Sequence, residues 1–360
     1  MKKIIIILIL AASISVNANS QGCVAIRSVG GMCTMDHAHA DSTASRWIFN
    51  MNNRYFHSYK HFIGEEEQKQ RQDLGTEVIN HSYTMDVAIT RILNDRWSVA
   101  IDVPIESNTR SSLYEHGGKE RHTTASFGLG DIRLTGYYWL LDPVKNRKVN
   151  VQLGLGLKLA TGNYNVLDHF YTATPNVYTL GPVDQSIQLG DGGTGITIEV
   201  NSFYNIARNI GLYENFYYLI NPTEVNGTSA TRGATPSAAT IANGSDVMSV
   251  PDQLMLRGGV NFLVDKFTFS AGLRNECLPV HDLIGGSGGF RRPGYIISGE
   301  PGVTYAFKKL NVYAFVPIAI TRNRTQSIPD KITTALTGKY TQGDAAFADY
   351  AVNIGLSFRF

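Results

Sequence analysis

Ala351-Val-Asn-Ile-Gly-Leu-Ser-Phe-Arg-Phe360 closes the chain, and its alternation decides the fold class. Side chains of an extended strand point alternately to opposite faces. Val352, Ile354, Leu356, Phe358 and Phe360 therefore share one face, and Asn353, Gly355, Ser357 and Arg359 share the other. Such a strand has one face suited to hydrocarbon and one suited to water. Val149-Asn-Val-Gln-Leu-Gly-Leu-Gly-Leu-Lys-Leu159 repeats the pattern, with Val149, Val151, Leu153, Leu155, Leu157 and Leu159 on a single face.

About twelve segments of this kind follow from Trp47. They run over 47–59, 77–93, 97–107, 127–141, 149–162, 194–206, 210–220, 252–264, 267–279, 294–307, 310–322 and 346–360. Short turns at 94–96, 142–148, 207–209, 265–266 and 308–309 alternate with long polar connections at 60–76, 108–126, 163–193, 221–251, 280–293 and 323–345. A β-sandwich has no reason to sort its loops by parity, whereas bacterial outer-membrane barrels have short periplasmic turns, long outer loops and an even strand number. The expected fold is all-β: a transmembrane antiparallel β-barrel of about twelve strands over 47–360, with both termini periplasmic. Trp97, Tyr204, Phe267, Tyr305, Phe307 and Phe358 lie beside the short turns, where an interfacial aromatic girdle belongs, and only one of Tyr138 and Trp139 can join them. Pro104, Pro301 and Pro317 fall inside strands and require bulges or strand ends. Strand 210–220 is ambiguous, because turning Glu214 inward also turns Phe216 and Tyr218 inward.

The N-terminus reads as a signal peptide over 1–20 for Sec export from a Gram-negative cytoplasm. Lys2 and Lys3 precede an apolar run from Ile4 to Val16, and Ala18-Asn19-Ser20 suits cleavage. Residues 21–46 then form a segment that either enters the barrel as a plug or stays in the periplasm. Export makes a Cys23–Cys33 disulfide the expected state of that segment, with Cys277 a small apolar wall residue. His37 and His39 with Asp36 and Asp41 have the composition of a metal site but no complete ligand set, and no metal or cofactor is expected. A net charge of +2 without a Lys/Arg block gives no basis for nucleic-acid binding.

If the apolar faces meet lipid, the opposite faces project Arg54, Asp86, Asp102, Arg133, Lys158, Glu199, Arg257, Arg274, Glu276, Glu300 and Arg359 into the interior. Both signs are present, which suits either a salt-bridged filling or a mixed-charge pore. Glu199, Arg257, Arg274 and Glu300 are near enough in strand order to form one network. Catalytic patterns are weak. His281, Asp282 and Ser287 share a Gly-rich loop without a G-x-S-x-G elbow, and the glycines of 191–195 lead into a strand rather than a helix N-terminus. The chain is not expected to be an enzyme.

Three patches resemble the outer-membrane family named for the MetA pathway of phenol degradation, whose members are described as transporters. They are Phe127-Gly-Leu-Gly-Asp131-Ile-Arg-Leu with Tyr137-Tyr-Trp-Leu140, Leu155-Gly-Leu-Lys-Leu-Ala-Thr-Gly162, and Asp184-Gln-Ser-Ile-Gln-Leu-Gly190-Asp-Gly-Gly-Thr-Gly195. Where the family carries Pro before Thr-Gly, this chain has Ala160. The resemblance implies passage of small, hydrophobic or aromatic compounds across the outer membrane, and it carries no catalytic residue. The closing strand ending in Phe360 resembles the signal read by the barrel-assembly machinery. The expected function is passive passage of a small solute through a monomeric barrel in outer-membrane lipid; the alternative is a plugged barrel presenting its long loops for surface interaction.

Overall fold

The computed structural model describes residues 46–360, so the signal peptide, most of segment 21–46, the Cys23–Cys33 pairing and the His37/His39 cluster lie outside the described residues. In chain order the strands are β1 (Trp47–Ile63), β2 (Glu66–Glu67), β3 (Ile79–Ile92), β4 (Trp97–Ser112), β5 (His122–Leu129), β6 (Arg133–Trp139), β7 (Val149–Lys158), β8 (Leu167–Tyr171) and β9 (Tyr178–Pro182). They continue as β10 (Gly195–Ala207), β11 (Ile210–Ile220), β12 (Val225–Ser229), β13 (Val247–Ser249), β14 (Gln253–Val264), β15 (Phe267–Leu278), β16 (Gly294–Ala306), β17 (Leu310–Phe315), β18 (Ile318–Arg324) and β19 (Ala345–Arg359). Helices α1 (Gln70–Asp73), α2 (Ala238–Asn243) and α3 (Ile328–Thr337) lie in the connections, and none is long and apolar enough to cross a membrane.

Each long strand pairs antiparallel with its neighbours, and β19 returns to β1 from Ile48↔Arg359 to Phe62↔Ala345, closing a barrel of twelve staves. Closure leaves no free edge around most of the wall, which is the condition for crossing hydrocarbon, where each unpaired backbone group costs several kcal/mol. Two staves are each built from two strands: β5 with β6, and β17 with β18. Side-chain polarity fixes which face is outside. On β7, Leu153, Leu155 and Leu157 are 40%, 66% and 49% exposed, while Asn150, Gln152 and Lys158 are 0%, 3% and 5% exposed. A water-soluble barrel shows the reverse, so the exterior band is a lipid-facing surface.

The short turns at 93–96, 140–148, 208–209, 265–266 and 307–309 all lie on the rim where Trp47 and Arg359 meet, and the long connections lie on the other. Aromatic rings cluster on the short-turn rim. Trp97 contacts Tyr138 with centroids 4.7 Å apart, and Tyr305 lies 4.7 Å from both Phe267 and Phe307. Tyr138 takes the outward position and Trp139 is buried inside. Strand β11 is resolved in the same way: Tyr213, Tyr217 and Leu219 are buried, leaving Glu214, Phe216 and Tyr218 on the outer face.

Segment 108–126 is not a loop. β4 continues to Ser112 and β5 begins at His122, so most of it is hairpin, with Arg110↔Thr124 and Thr109↔Ala125 in register. Thr109, Thr123 and Thr124 have no apolar partner face, which removed the periodic signal there.

The prolines mark the breaks. Within a strand, a residue's N–H and C=O point to the same side. Pro104 accepts from Gly130 and Pro301 from Val316, so each absent N–H faces a broken stave: the first at Gly130–Ile132, the second at Val316–Pro317. Pro317 lies inside its break, so the similar Asp102-Val-Pro-Ile105 and Phe315-Val-Pro-Ile318 serve breaks from opposite sides. Interior aromatics lie over glycines directly across the ladder, Tyr137 on Gly154, Phe315 on Gly302 and Tyr313 on Gly355. A Cβ at Gly302 would stand 2.2 Å from the Phe315 ring.

Candidate functional site: lumen and mouth

Of the charged residues assigned to the interior from sequence, Arg54, Asp86, Arg133, Lys158, Glu199, Arg257, Arg274, Glu276 and Glu300 are buried within the barrel. Asp102 and Arg359 are half-buried, the latter at the short-turn rim. Arg54 on β1 donates to both oxygens of Glu276 on β15, at 2.9 and 3.1 Å. Those strands are separated in the sheet by β19, the β17/β18 stave and β16, so this bond spans the interior. Arg274 bonds Glu276 and Glu300, each at 3.1 Å, and Arg257 reaches Glu300 at 2.6 Å. Three guanidiniums thus alternate with two carboxylates, and Arg257 also lies over the Phe315 ring at 4.9 Å.

Glu199 does not join that ladder, contrary to the network suggested by strand order. It accepts from Tyr137 at 3.0 Å, because β10 is separated from β14 by β11. Its neighbourhood holds Arg133, which bonds Asp102 at 2.8 Å and stands 3.8 Å from Asp86. Several buried polar side chains here make no hydrogen bond within the protein. The amide N and O of Asn52 and both oxygens of Asp86, its direct cross-strand neighbour, are in this state, Asp86 keeping only its longer ion pair with Arg133, and Thr197 Oγ1 joins them. Groups of this kind are ordinarily paired with protein or with ordered water, so this stretch of interior is polar rather than oily.

The three glycine-rich patches meet at one point above it. Asp131, in the break between β5 and β6, accepts from the amides of Gly162 at 2.9 Å and Asp191 at 3.2 Å. Lys158 bonds both Asp131 and Asp191. Thr161 Oγ1 donates to the Gly130 carbonyl at 3.0 Å and accepts from the Ile132 amide at 2.8 Å, so side chains stitch what the ladder leaves open. Gly162 and Gly190 press backbone to backbone, where a Cβ would meet main-chain atoms at 2.5–2.6 Å.

This knot turns connection 159–194 inward: Val183, Ile187 and Leu189 are buried, and Ser126 donates to the Ile187 carbonyl at 2.5 Å. Connection 221–252 also folds in, burying Met248 and Val250, with Gln185 donating to the Ser249 carbonyl at 2.9 Å. Two of the cavities among the described residues share no lining residue. One of about 60 Å³ is lined by Glu106, Asp131, Arg133, Lys158 and Asp191, among others. The other, about 250 Å³, lies at the mouth among Arg110, Arg232, Arg291, Arg292 and Arg324. Asp184 is clamped by Arg292 at 2.6 and 2.8 Å and faces Arg110 at 3.5 Å. Burial alone would raise its carboxyl, but those arginines outweigh burial and hold it well below the usual carboxylate range. Sequence reading missed these mouth arginines, because Arg232, Arg291 and Arg292 fall in connections and Arg110 and Arg324 near outer strand ends, where apolar alternation has stopped.

His281, Asp282 and Ser287 are not brought into a nucleophile–base arrangement. Asp282 is held by Arg291 at 2.6 Å, Ser287 accepts from the Asp282 amide, and no hydrogen bond joins His281 to either among the described residues. Among the described residues no group of three or more His, Cys, Asp or Glu is placed to hold a metal.

No protein-family model and no curated protein matches the chain. Among solved structures, an outer membrane channel from Pseudomonas putida aligns over 88% of this chain and 96% of its own, with a TM-score of 0.56 at 11% identity. At that identity the likeness speaks for the fold. The translocator domain of the autotransporter NalP from Neisseria meningitidis aligns over 87% of this chain and 88% of its own (12% identity, TM-score 0.44). The toluene transporter TbuX from Ralstonia pickettii aligns over 89% and 90% (10% identity, TM-score 0.42). The fold of this chain is that of a twelve-stranded bacterial outer-membrane β-barrel.

Proposed function

We propose that the protein is a narrow channel of the bacterial outer membrane, giving passive passage to a small solute and closed at rest by its own inward-folded connections. The observation that supports this reading is a polar interior behind a lipid-facing band: Asn52, Asp86, Thr197 and Tyr213 are all buried inside the barrel, and water in a lumen would meet the polar atoms of Asn52, Asp86 and Thr197 that make no hydrogen bond within the protein. The lipid-facing band supplies stability, and polar side chains inside replace part of a solute's hydration. In this reading both termini lie on the periplasmic side, the long connections lie outside, and no catalysis is assigned. The resemblance of the three converging patches to the phenol-degradation transporters favours hydrophobic or aromatic solutes.

Purified protein in planar bilayers should show conductance that rises when the 184–191 segment is shortened, and liposomes containing it should swell in small solutes. Silence in both assays, with and without the shortening, retracts the channel. A second reading, a plugged platform for surface loops, is favoured by the Arg54–Glu276 bond across the interior; silence would support it.

A further inference from the structure

The 250 Å³ mouth cavity draws its arginines from four separate segments: Arg110 from β4, Arg232 from connection 221–252, Arg291 and Arg292 from connection 279–293, and Arg324 from β18. Their convergence is therefore a property of the fold. Each is steadied by a carboxylate. Arg110 and Arg232 bond Glu115 at 2.8 and 2.6 Å, Arg292 bonds Asp184 at 2.6 Å, Arg291 bonds Asp282 at 2.6 Å and Arg324 bonds Asp330 at 3.0 Å. Glu115, Asp184 and Asp282 do not line the cavity; of the acids, only Asp330 and Asp344 do. The guanidiniums are thus presented to the space with most of their counter-charges behind them.

The charge balance decides the kind of guest. Five arginines line the space against two carboxylates, Asp330 and Asp344, and Asp344 is bonded by Arg71 from outside the lining at 2.7 Å, so the wall itself is net positive. A guanidinium offers five N–H donors in a fixed fork, and a single carboxylate partner uses at most two of them. Arg232 Nε is buried without a hydrogen-bond partner. Arg232 also holds φ at 56°, a left-handed conformation costly for a side-chain-bearing residue and kept where the surroundings over-determine it. Phe290 and Tyr114 give the cavity apolar walls, with the Arg292 guanidinium 4.8 Å over the Phe290 ring.

We propose that the mouth cavity binds one small organic monocarboxylate, its anionic end received by the arginine cluster and its apolar body by Tyr114 and Phe290. The proposal rests on the channel reading, in which this cavity is the first station of the route, and names the class of solute. A positive wall favours an anion, while Asp330 and Asp344 facing the same space weigh against a second negative charge on it.

Calorimetric titration of the full chain in detergent with benzoate tests it. Saturable binding of one benzoate is expected, with benzyl alcohol and inorganic phosphate each about tenfold weaker, the scale of one charge-assisted hydrogen bond. Arg232→Gln should weaken benzoate about tenfold on the same ground, with Arg232→Lys between it and the parent. Asp344→Asn removes a facing negative charge and should tighten benzoate; a gel shift between boiled and unboiled samples reports that each variant is folded. Equal affinity for benzoate and benzyl alcohol, phosphate binding as tight as benzoate, or unchanged benzoate affinity in both Arg232→Gln and Asp344→Asn overturns the proposal. Benzoate binding without liposome flux would retract the channel and leave the site standing. Flux of neutral solutes without benzoate binding would do the opposite.

Discussion

Leu155 and Gln152 stand three residues apart on β7 and meet opposite surroundings, one two-thirds exposed to the outside and the other buried against Asn201. Leu155→Arg places a charge near the middle of the lipid band and should cost about 2–4 kcal/mol, read as a lower urea midpoint for unfolding from vesicles. Gln152→Glu, inside, should leave the midpoint near that of the parent, since it meets a polar lumen. Equal effects would mean the faces are exchanged. A second residue carries a pH dependence. Asp344 lies outside the staves, 3.0 Å from His61 Nδ1 and 2.7 Å from Arg71. Burial raises its carboxyl, but the His61 hydrogen bond and Arg71 outweigh burial and take it from 3.8 down to about 2. A depressed carboxyl contributes stability that is complete above its unfolded value and lost as pH falls through its folded value. That contribution, about 2 kcal/mol at most, should fade between about pH 4 and pH 2. Hydrogen exchange at the start of β19 should rise over that window in the parent and be flat in Asp344→Asn.

The broken stave of β5 and β6 is the element on which the mouth turns. Its gap is stitched by the side chains of Asp131 and Thr161 beside a few backbone bonds, and Asp131 also holds the backbone of Gly162 and Asp191, the two ends of the inward connection. Asp131→Ala removes these acceptors and leaves Lys158 with Asp191 alone. Connection 159–194 should then lift from the lumen, raising single-channel conductance and making the 163–193 stretch cleavable by protease in intact vesicles. Unchanged conductance and protection would show that packing of Val183, Ile187 and Leu189 suffices to hold it. The staves themselves were legible in the sequence. All twelve segments coincide with a stave, because a wall between lipid and water must alternate with period two over its whole length. The breaks were half legible: Pro104 and Pro301 announced an interruption but not that it falls in the neighbouring stave. The upper hairpin of β4 and β5 and the mouth arginines were not legible, since above the lipid both faces meet water and the alternation vanishes. Glu199 was placed on the correct face with the wrong partners, because strand order gives neighbours and says nothing of reach across a closed interior.

For the whole molecule, the decisive interaction is the one that crosses the interior between staves a third of the circumference apart. Arg54 and Glu276 tie β1 to β15 through the interior, and that tie both narrows the lumen and braces the barrel. Removing one partner of a buried pair strands the other charge, at about 3–5 kcal/mol. Glu276 keeps Arg274 after loss of Arg54, whereas loss of Glu276 leaves Arg54 and Arg274 facing each other. Glu276→Ala should therefore destabilise more than Arg54→Ala, and the double variant less than the sum of the two, because the stranded charge is gone. Stability alone does not separate a constriction from a filling, since both predict this ranking. Conductance does: in a channel, the Arg54→Ala/Glu276→Ala double variant widens the narrowest charged section and should conduct more than the parent in planar bilayers, with ion selectivity shifted as one charge of each sign leaves the wall. In a filled barrel the neighbouring aromatics, Phe315 and Tyr213 around Arg257, would close over the space. A folded double variant with no more conductance than the parent would identify the ladder as scaffold.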